Sequence, residues 1–195
     1  MAYPALTPVP LLGVDDYLRL EEASTTRHEY VGGELYGLAG ASDRHNRICL
    51  NIAARLWAAA RGGPCRVYTS DMMLRVAEDV FYYPDVQVVC DPEDDEQRYK
   101  SRPCLVVEVL SPSTEAIDRR EKLLAYRRLP SLKAYLLVYR DERRVARYWR
   151  EEQGAWWPAE VHGEGRVPFP FPCPELELSL AEIYEGLPPV AVADS

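Results

Sequence analysis

Apolar residues along this chain follow two patterns, one spaced as in a helix and one continuous over short runs. Between positions 48 and 56, isoleucine and leucine recur every four residues, which predicts a helix over 43–61 with this stripe against the core. Apolar runs at 81–89 and 104–110 are too short for helices and end at turn residues, so they predict buried strands. The alternation of the two patterns indicates a mixed α/β protein.

The same patterns predict further elements on both sides of this central region. Gly32 and Gly33 separate two strand-like runs, which predicts a β-hairpin, because glycine tolerates the positive φ of a tight turn. The other predicted elements are a helix at 14–23, strands at 65–76 and 80–90, a helix at 114–129, strands at 133–139, 145–149 and 155–161, and a short helix at 180–184.

The order of these elements predicts the topology. The path from the strand at 104–110 through a helix to the strand at 133–139 is a parallel crossover, expected to be right-handed. The strands before it are joined tightly enough to be antiparallel. The predicted core is helix, three strands, helix, strand: a mixed central β-sheet flanked by helices, with an N-terminal hairpin and extra C-terminal strands. We expect one domain of 195 residues, with its core at about 14–150 and a proline-rich covering segment at about 165–195.

Composition and charge exclude some classes of protein. The hydrophobic fraction of 47% is ordinary for a globular protein, and no apolar run approaches the roughly 20 residues that span a bilayer. The N-terminus lacks a basic segment followed by an apolar one, so a cytoplasmic location without membrane contact is expected. The net charge of −8 argues against strong unspecific binding of nucleic acid by the whole surface, although it leaves a local basic surface open.

The five cysteines are widely spaced, and none forms a Cys-x-x-Cys pair. Most of them lie within or beside apolar stretches. This distribution favours small, buried, reduced side chains over a zinc site or a disulfide framework. The residues concerned are Cys49, Cys65, Cys90, Cys104 and Cys173.

Two acids lie inside the central apolar runs. Asp85 interrupts the run at 81–89, and Glu108 interrupts the run at 104–110. Burying a carboxylate costs several kcal/mol unless a cation compensates it. A hard divalent cation prefers oxygen ligands, which these carboxylates and the carbonyl of Val109 could supply, while a nearby lysine would stabilise a phosphoryl transition state. The pattern therefore favours a metal site for phosphodiester hydrolysis.

Each candidate residue, taken alone, also has an ordinary structural explanation. Asp85 could be a strand-end acid, Glu108 part of a core salt bridge, and Lys122 a solvated helix lysine. Glu34 could be an exposed hairpin residue, and His45 a capping or packing residue. These alternatives stay open, and the order of the residues is more informative than any one of them.

That order, Pro84-Asp85, then Glu108 in the next strand, then a lysine, resembles the PD-(D/E)XK superfamily of restriction-type nucleases. More closely, several segments within roughly 14–150 are similar to the Uma-two family of restriction endonucleases. These segments are Gly33-Glu-Leu-Tyr36, Gly40-Ala-Ser-Asp-Arg-His-Asn46, Ser70-Asp71-Met72, Tyr83-Pro-Asp-Val86, Val107-Glu-Val-Leu-Ser-Pro-Ser-Thr114, Asp118-Arg-Arg-Glu-Lys122 and Ala125-Tyr126-Arg127.

The resemblance implies a restriction-endonuclease-like fold and roles for particular residues. It implies that Asp85 and Glu108 bind Mg²⁺ or Mn²⁺, and that Glu34 is an auxiliary acid of the same metal site. It also implies that Lys122 is the catalytic lysine. His45 matches a position typical of the family and is included among the catalytic candidates.

The chain departs from the parent motif at one position. Leu110 stands two residues after Glu108, where the motif has its lysine. The family's usual alternative is a lysine on the following helix, and Lys122 fits it. That relocation preserves the charge of the site only if the helix packs with Lys122 pointing back at the strand ends.

Two functions of different classes follow. The first is a Mg²⁺- or Mn²⁺-dependent DNA endonuclease, and a homodimer is plausible for it because cutting two strands usually needs two sites. The second is a catalytically silent nuclease-like scaffold that serves as a nucleic-acid or protein binding or regulatory module. The overall acidity and the lack of an appended DNA-reading domain motivate this alternative. The sequence supports neither a serine hydrolase nor a phosphate-binding loop nor a zinc hydrolase with closely spaced histidines.

Overall fold

A computed structural model of the chain describes residues 11–111, 115–151, 154–158, 160–163, 165–169 and 174–188. The helices are α1 (Val14–Ala23), α2 (Asp43–Ala60), α3 (Glu115–Ile117), α4 (Leu123–Tyr126) and α5 (Leu180–Ile183), and a π-helical segment (Asp118–Lys122) joins α3 to α4. Within these described ranges no helix combines the length and the apolar character needed to cross a membrane. The strands are β1 (His28–Val31), β2 (Glu34–Gly37), β3 (Arg66–Thr69), β4 (Met73–Ala77), β5 (Val80–Tyr82), β6 (Val86–Val89), β7 (Tyr99–Lys100), β8 (Leu105–Leu110), β9 (Ala134–Tyr139), β10 (Val145–Trp149), β11 (Glu160–His162), β12 (Arg166–Phe169) and β13 (Leu176–Ser179).

The larger sheet has six strands in the order β11-β10-β9-β8-β6-β3. β8 and β9 are parallel, and the chain crosses between them through the helical segment at 115–126, whereas the other pairs are antiparallel. All six residues of β8 and all six of β9 are buried, because elements cover both faces of the sheet. The predicted mixed sheet flanked by helices is confirmed.

Alternation along β8 divides its side chains between the two faces. Val107 and Val109 pack in the core cluster that includes α2, whereas Val106 and Leu110 pack in the cluster that includes α4. Each such side chain stabilises the fold by ~1.5–3 kcal/mol through burial. Because side chains alternate along a strand, Glu108 lies on the same face as Val106 and Leu110. The register thereby directs this acid toward the crossover helices.

The second sheet has five strands in the order β2-β1-β5-β4-β7. Its β1–β2 hairpin turns at Gly32 and Gly33, whose φ angles of 57° and 98° lie in the region that favours glycine. β1 lies between β2 and β5, so Glu29 and Tyr30 in its middle are buried. The predicted hairpin is therefore part of a separate sheet.

Two strands that the sequence predicts as continuous are each divided between the two sheets. The segment at 65–76 contains β3 and β4, and the segment at 80–90 contains β5 and β6. The second break falls at Pro84-Asp85, where proline cannot donate a ladder hydrogen bond. The predicted antiparallel pairing is confirmed, since β4 pairs with β5 and β3 pairs with β6. The prediction of two continuous strands is wrong, because a turn at Ser70-Asp71 interrupts the first and Pro84-Asp85 interrupts the second.

The boundaries of the other elements differ less from the predicted boundaries. The helix at 14–23 and the strand at 145–149 agree with the structure, and the helix predicted at 114–129 contains three helical segments that end at Tyr126. The strand predicted at 155–161 is reduced to β11, preceded by an isolated bridge between Arg150 and Trp156. The proline-rich segment contributes an antiparallel pair, β12 and β13, in addition to the predicted short helix α5.

The prediction that the cysteines are reduced is wrong for one pair. Cys65 and Cys90 form a disulfide. The antiparallel register of β3 and β6 pairs Arg66 with Val89, which places the two flanking cysteines opposite each other. Cys49 is a buried, free thiol as predicted. Cys173 lies outside the described residues.

Candidate active site

An open cleft of about 680 Å³ lies at the sheet edge where β6 begins and β8 ends. Four residues singled out from the sequence line it: His45, Asp85, Glu108 and Lys122. The helical crossover, the six-stranded sheet, α2 and β1 all contribute side chains. The other lining residues that matter for its chemistry are Arg27, Glu29, Cys49, Asp118 and Arg140.

Asp85 is held at the corner where the chain leaves one sheet for the other. Val86 pairs with Val107, so Asp85 stands next to Glu108. Its Oδ2 atom accepts a 2.7 Å hydrogen bond from the backbone N–H of Val109, and its own N–H donates a 3.4 Å hydrogen bond to Oε2 of Glu108. These contacts fix the two carboxylates relative to each other through the backbone of neighbouring strands.

Glu108 is a carboxylate in the interior, with 3% of its surface exposed. Oε1 accepts a 2.8 Å hydrogen bond from the hydroxyl of Tyr126 and lies 3.3 Å from the Lys122 ammonium. Burial raises the pKa of Glu108 well above its usual range, against the lowering effect of Lys122 and with further raising by Asp118 and Asp85. The ionised form is therefore undercompensated, and an added cation would stabilise it.

Lys122 meets three carboxylates among the described residues. Its Nζ atom lies 2.8 Å from Glu29 Oε1, 3.3 Å from Glu108 Oε1 and 3.5 Å from Asp118 Oδ1. Burial lowers the pKa of Lys122, but these carboxylates outweigh it and raise the pKa above the usual range. The amine is an ammonium, and it also lies 5.3 Å from the centre of the Tyr82 ring.

The π-helical segment explains how a lysine on the helix reaches the strand ends. Asp118 and Lys122 are its first and last residues, and both are buried on the side that faces β8. Short π-helical stretches inside helices are frequently found at functional sites, because they change which side chains share a face. Here the stretch directs the carboxylate of Asp118 and the ammonium of Lys122 into the same cleft.

His45 lies next to Asp85, in the first turn of α2. Ser42 caps this helix, since its Oγ atom accepts a 3.3 Å hydrogen bond from the N–H of His45. Nε2 of His45 is 3.2 Å from Asp85 Oδ2. Burial lowers the pKa of His45, but the hydrogen bond to Asp85 and its charge raise it more.

Glu34 does not lie with these residues. It is exposed on β2, where Oε2 accepts a 2.6 Å hydrogen bond from the hydroxyl of Tyr36, and it is not among the described residues that line the cleft. Glu29 on β1 lies there instead. Glu34 directly follows the hairpin turn and pairs with Val31, whereas Glu29 faces the centre of the molecule from between two strands. Glu34 was predicted to take part in the metal site, but the structure places it outside the described lining of the cleft that holds Asp85 and Glu108.

Sequence reasoning assigned no site role to three residues that line the cleft, Glu29, Cys49 and Asp118, or to Tyr126, which donates to Glu108. Asp118 and Tyr126 stand four residues before and after Lys122, and Cys49 stands four residues after His45, so helical spacing alone could have indicated them. Glu29 carried the signal already used for Asp85 and Glu108, an acid in the middle of a short strand.

Comparison with known proteins identifies the family. The family model Uma2, described as "Putative restriction endonuclease", matches residues 14–181. The chain belongs to the Uma2 family. Its relatives include the "Uncharacterized protein slr1290" of Synechocystis sp., 37% identical over 191 residues, which cover 96% of this chain and 98% of that protein. The "Uncharacterized protein sll1609" of the same organism is 34% identical over 158 residues, covering 79% and 89% of the two chains.

Among solved structures, this Uma2 protein resembles one described as a "putative nuclease belonging to DUF820" from Anabaena variabilis. The TM-score is 0.71 at 18% sequence identity, and the match covers 87% of this chain and 96% of that one. This similarity confirms the predicted restriction-endonuclease-like fold. Together with the family, it makes this chain a restriction-endonuclease-like protein.

The restriction-endonuclease-like fold implies a divalent metal, and the donor set of the cleft fits one. Asp85 and Glu108 offer carboxylate oxygens from adjacent strands, and His45 and Cys49 complete a group with Asp85 whose ligand atoms lie within 4.8 Å of one another. Among the described residues at Lys122, carboxylates exceed ammonium groups by three to one. An added cation would offset this excess of negative charge.

Proposed function

We propose that this Uma2 protein is a Mg²⁺- or Mn²⁺-dependent endodeoxyribonuclease that hydrolyses phosphodiester bonds in DNA. The observation that carries the proposal is the excess of buried carboxylates around Lys122 next to Asp85, in a cleft open to solvent. A buried acid cluster is costly without a compensating cation, so the arrangement is better explained by a cation site than by packing alone.

In the proposed reaction the carboxylates of Asp85 and Glu108 would hold the cation, and the backbone N–H of Val109 fixes the orientation of Asp85. A divalent cation held there would neutralise charge on the phosphoryl group and would lower the pKa of a water molecule. Tyr126 orients Glu108 by donating to Oε1. Lys122 contributes a fixed positive charge beside the reacting phosphate, and Glu29 and Asp118 hold its amine in place.

Recognition of DNA is proposed to use the basic side chains at the cleft. Arg27 and Arg140 line it, although the whole chain carries a net charge of −8. Locally placed arginines can contact phosphates while the remaining acidic surface limits unspecific binding. Cleavage of both strands would need two such sites, so the proposal includes a homodimer.

A second candidate is a catalytically silent scaffold that binds nucleic acid or protein. The observation that favours it is the near-complete burial of Glu108 and Lys122, which are 3% and 5% exposed. A closed ion pair of this kind can be purely structural. In that case no divalent cation would bind and no DNA would be cut.

The test is cleavage of supercoiled plasmid with Mg²⁺, Mn²⁺ or chelator, for the wild type and for Asp85→Ala and Glu108→Gln. We expect metal-dependent cleavage that falls more than about 100-fold in both variants while their thermal unfolding stays cooperative. Glu78→Gln, which changes an exposed acid outside the cleft, is the matched control and should cleave like the wild type. Full metal-dependent cleavage by Glu108→Gln would overturn the proposal.

A further inference from the structure

The imidazole of His45 lies between the side chains of Asp85 and Cys49. Its Nε2 atom is 3.2 Å from Oδ2 of Asp85, and its Nδ1 atom is 3.5 Å from Sγ of Cys49. Both contacts are at hydrogen-bond distance, and they engage the two nitrogens of one ring. The ring is thereby fixed both in position and in rotation.

The placement of this histidine follows from the local structure of α2. Ser42 caps the helix and receives the N–H of His45, and Cys49 stands one turn later on the same side. His45 and Asp85 keep 14% and 16% of their side chains exposed, on the wall of the cleft. A small ion entering the cleft can therefore reach Nε2 and Oδ2 together.

We propose that Nε2 of His45 is a ligand of the divalent cation, beside the carboxylate of Asp85, and that Cys49 is a positioning residue that holds Nδ1. This inference rests on the proposed metal-dependent function and specifies its ligand set. Metal-bound histidines commonly keep their second nitrogen hydrogen-bonded, which fixes the tautomer and the ring orientation. The contact between Nδ1 and the thiol of Cys49 is such an arrangement.

A nitrogen ligand changes which cations the site prefers. Magnesium favours oxygen ligands, whereas imidazole suits the later first-row transition metals. Removing the imidazole should therefore weaken cobalt binding more than magnesium binding. A histidine that only donates a hydrogen bond to Asp85 would affect both cations to a similar extent.

The first experiment uses the full wild-type chain with Mn²⁺ and reads nitrogen hyperfine coupling by pulsed electron paramagnetic resonance. We expect a coupling from a directly bound imidazole. The second measures affinities for Co²⁺ and Mg²⁺ by calorimetry in His45→Ala and His45→Gln. Cobalt affinity should fall at least about 10-fold, with a smaller change for magnesium.

Two controls separate ligation from folding. His162→Gln changes a histidine on β11, outside the described lining of the cleft, and should keep the nitrogen coupling and both affinities. Cys49→Ala should lower cobalt affinity about 10-fold, and Cys49→Ser, which keeps an acceptor for the Nδ1–H group, should recover most of it. Thermal unfolding of each variant verifies that it is folded.

The outcomes are distinguishable. A wild type that binds Mn²⁺ without nitrogen coupling, or keeps the coupling in His45→Ala, overturns the role of His45 and leaves the proposed nuclease function standing. Equal losses of cobalt and magnesium affinity in the His45 variants also overturn it. A wild type that binds none of the three cations overturns both proposals.

Discussion

The ammonium of Lys122 lies 2.8 Å from Oε1 of Glu29, a carboxylate that belongs to the other sheet. The same oxygen accepts a 3.3 Å hydrogen bond from the backbone N–H of Tyr83, two residues before Asp85. Glu29 therefore links the lysine on the crossover to the turn that carries the aspartate. The five-stranded sheet therefore contributes a carboxylate that holds the lysine of the cleft.

This link predicts different effects for the two acids of the hairpin. Glu29→Gln should lower the rate of DNA cleavage by about 100-fold, because a loosened lysine amine is misplaced relative to the phosphate. Glu34→Gln, its matched control on β2, should leave the rate unchanged. Single-turnover cleavage at saturating metal measures both. The reverse order of effects would show that Glu34 reaches the cleft in the active state.

Removing the lysine charge should destabilise the metal-free protein. Lys122→Met leaves the carboxylates of Glu29, Glu108 and Asp118 without this partner, and breaking a buried ion pair costs about 3–5 kcal/mol. Urea unfolding in chelator measures the free energy of unfolding. The partly exposed Lys133, changed to Met, should shift it by about 0.5 kcal/mol or less. A loss that small in Lys122→Met would mean that the carboxylates are protonated or hydrated.

Two tyrosine–glutamate hydrogen bonds, one buried and one exposed, offer a matched comparison. Tyr126 donates to Glu108 in the interior, and Tyr36 donates to Glu34 on the surface. Tyr126→Phe should cost about 1.5–3 kcal/mol of unfolding free energy, because the carboxylate loses a buried donor. Tyr36→Phe should have a negligible effect, since water replaces the hydroxyl. Equal effects would contradict the burial assigned to Glu108.

The raised pKa of Glu108 predicts a pH dependence of stability. Because its pKa in the folded chain exceeds the ordinary 4.5, the protonated form favours folding. This contribution is complete below the unfolded pKa and is lost as pH rises through the folded pKa. From pH 4.5 upward, the metal-free wild type should lose unfolding free energy relative to Glu108→Gln, at up to about 1.4 kcal/mol per pH unit. A difference that stays constant with pH would contradict the assignment.

The disulfide between Cys65 and Cys90 predicts a redox dependence of stability. Reduction should lower the unfolding free energy by about 2–4 kcal/mol, because the unfolded chain regains the freedom of the closed loop. Chemical denaturation with and without reductant measures this difference. The variant Cys65→Ser should behave in both conditions like the reduced wild type. Stability that does not respond to reductant would show that the two thiols are unpaired in solution.

The spacing of apolar residues was enough to predict α2 and β8. The four-residue repeat predicted α2 and the continuous apolar run predicted β8, because each pattern identifies the buried residues without requiring knowledge of the element that they pack against. The breaks between β3 and β4 and between β5 and β6 were missed, because hydrophobicity does not record which sheet a strand joins, although Pro84 marks the second of them. The pairing of Cys65 with Cys90 depends on that same register.

The candidate site also contains residues that the sequence could indicate and residues that it could not. Asp85 and Glu108 could be recognised because each is a charge within an apolar run, and they lie in the same cleft. Glu29 and Glu34 look alike in sequence, and only the order of strands in the second sheet separates them. Lys122 faces β8 because it lies in the π-helical segment, and the spacing of residues in the sequence does not indicate that segment.

The central claim is tested most directly by titrating Mn²⁺ into the protein while following both its binding and its cleavage of DNA. If Asp85 and Glu108 hold the catalytic cation, wild-type cleavage should rise in step with occupancy of a single site, and Glu108→Gln should lose both signals together. Cleavage that persists in Glu108→Gln, or Mn²⁺ binding that leaves the wild type inactive on every DNA substrate, would contradict the claim.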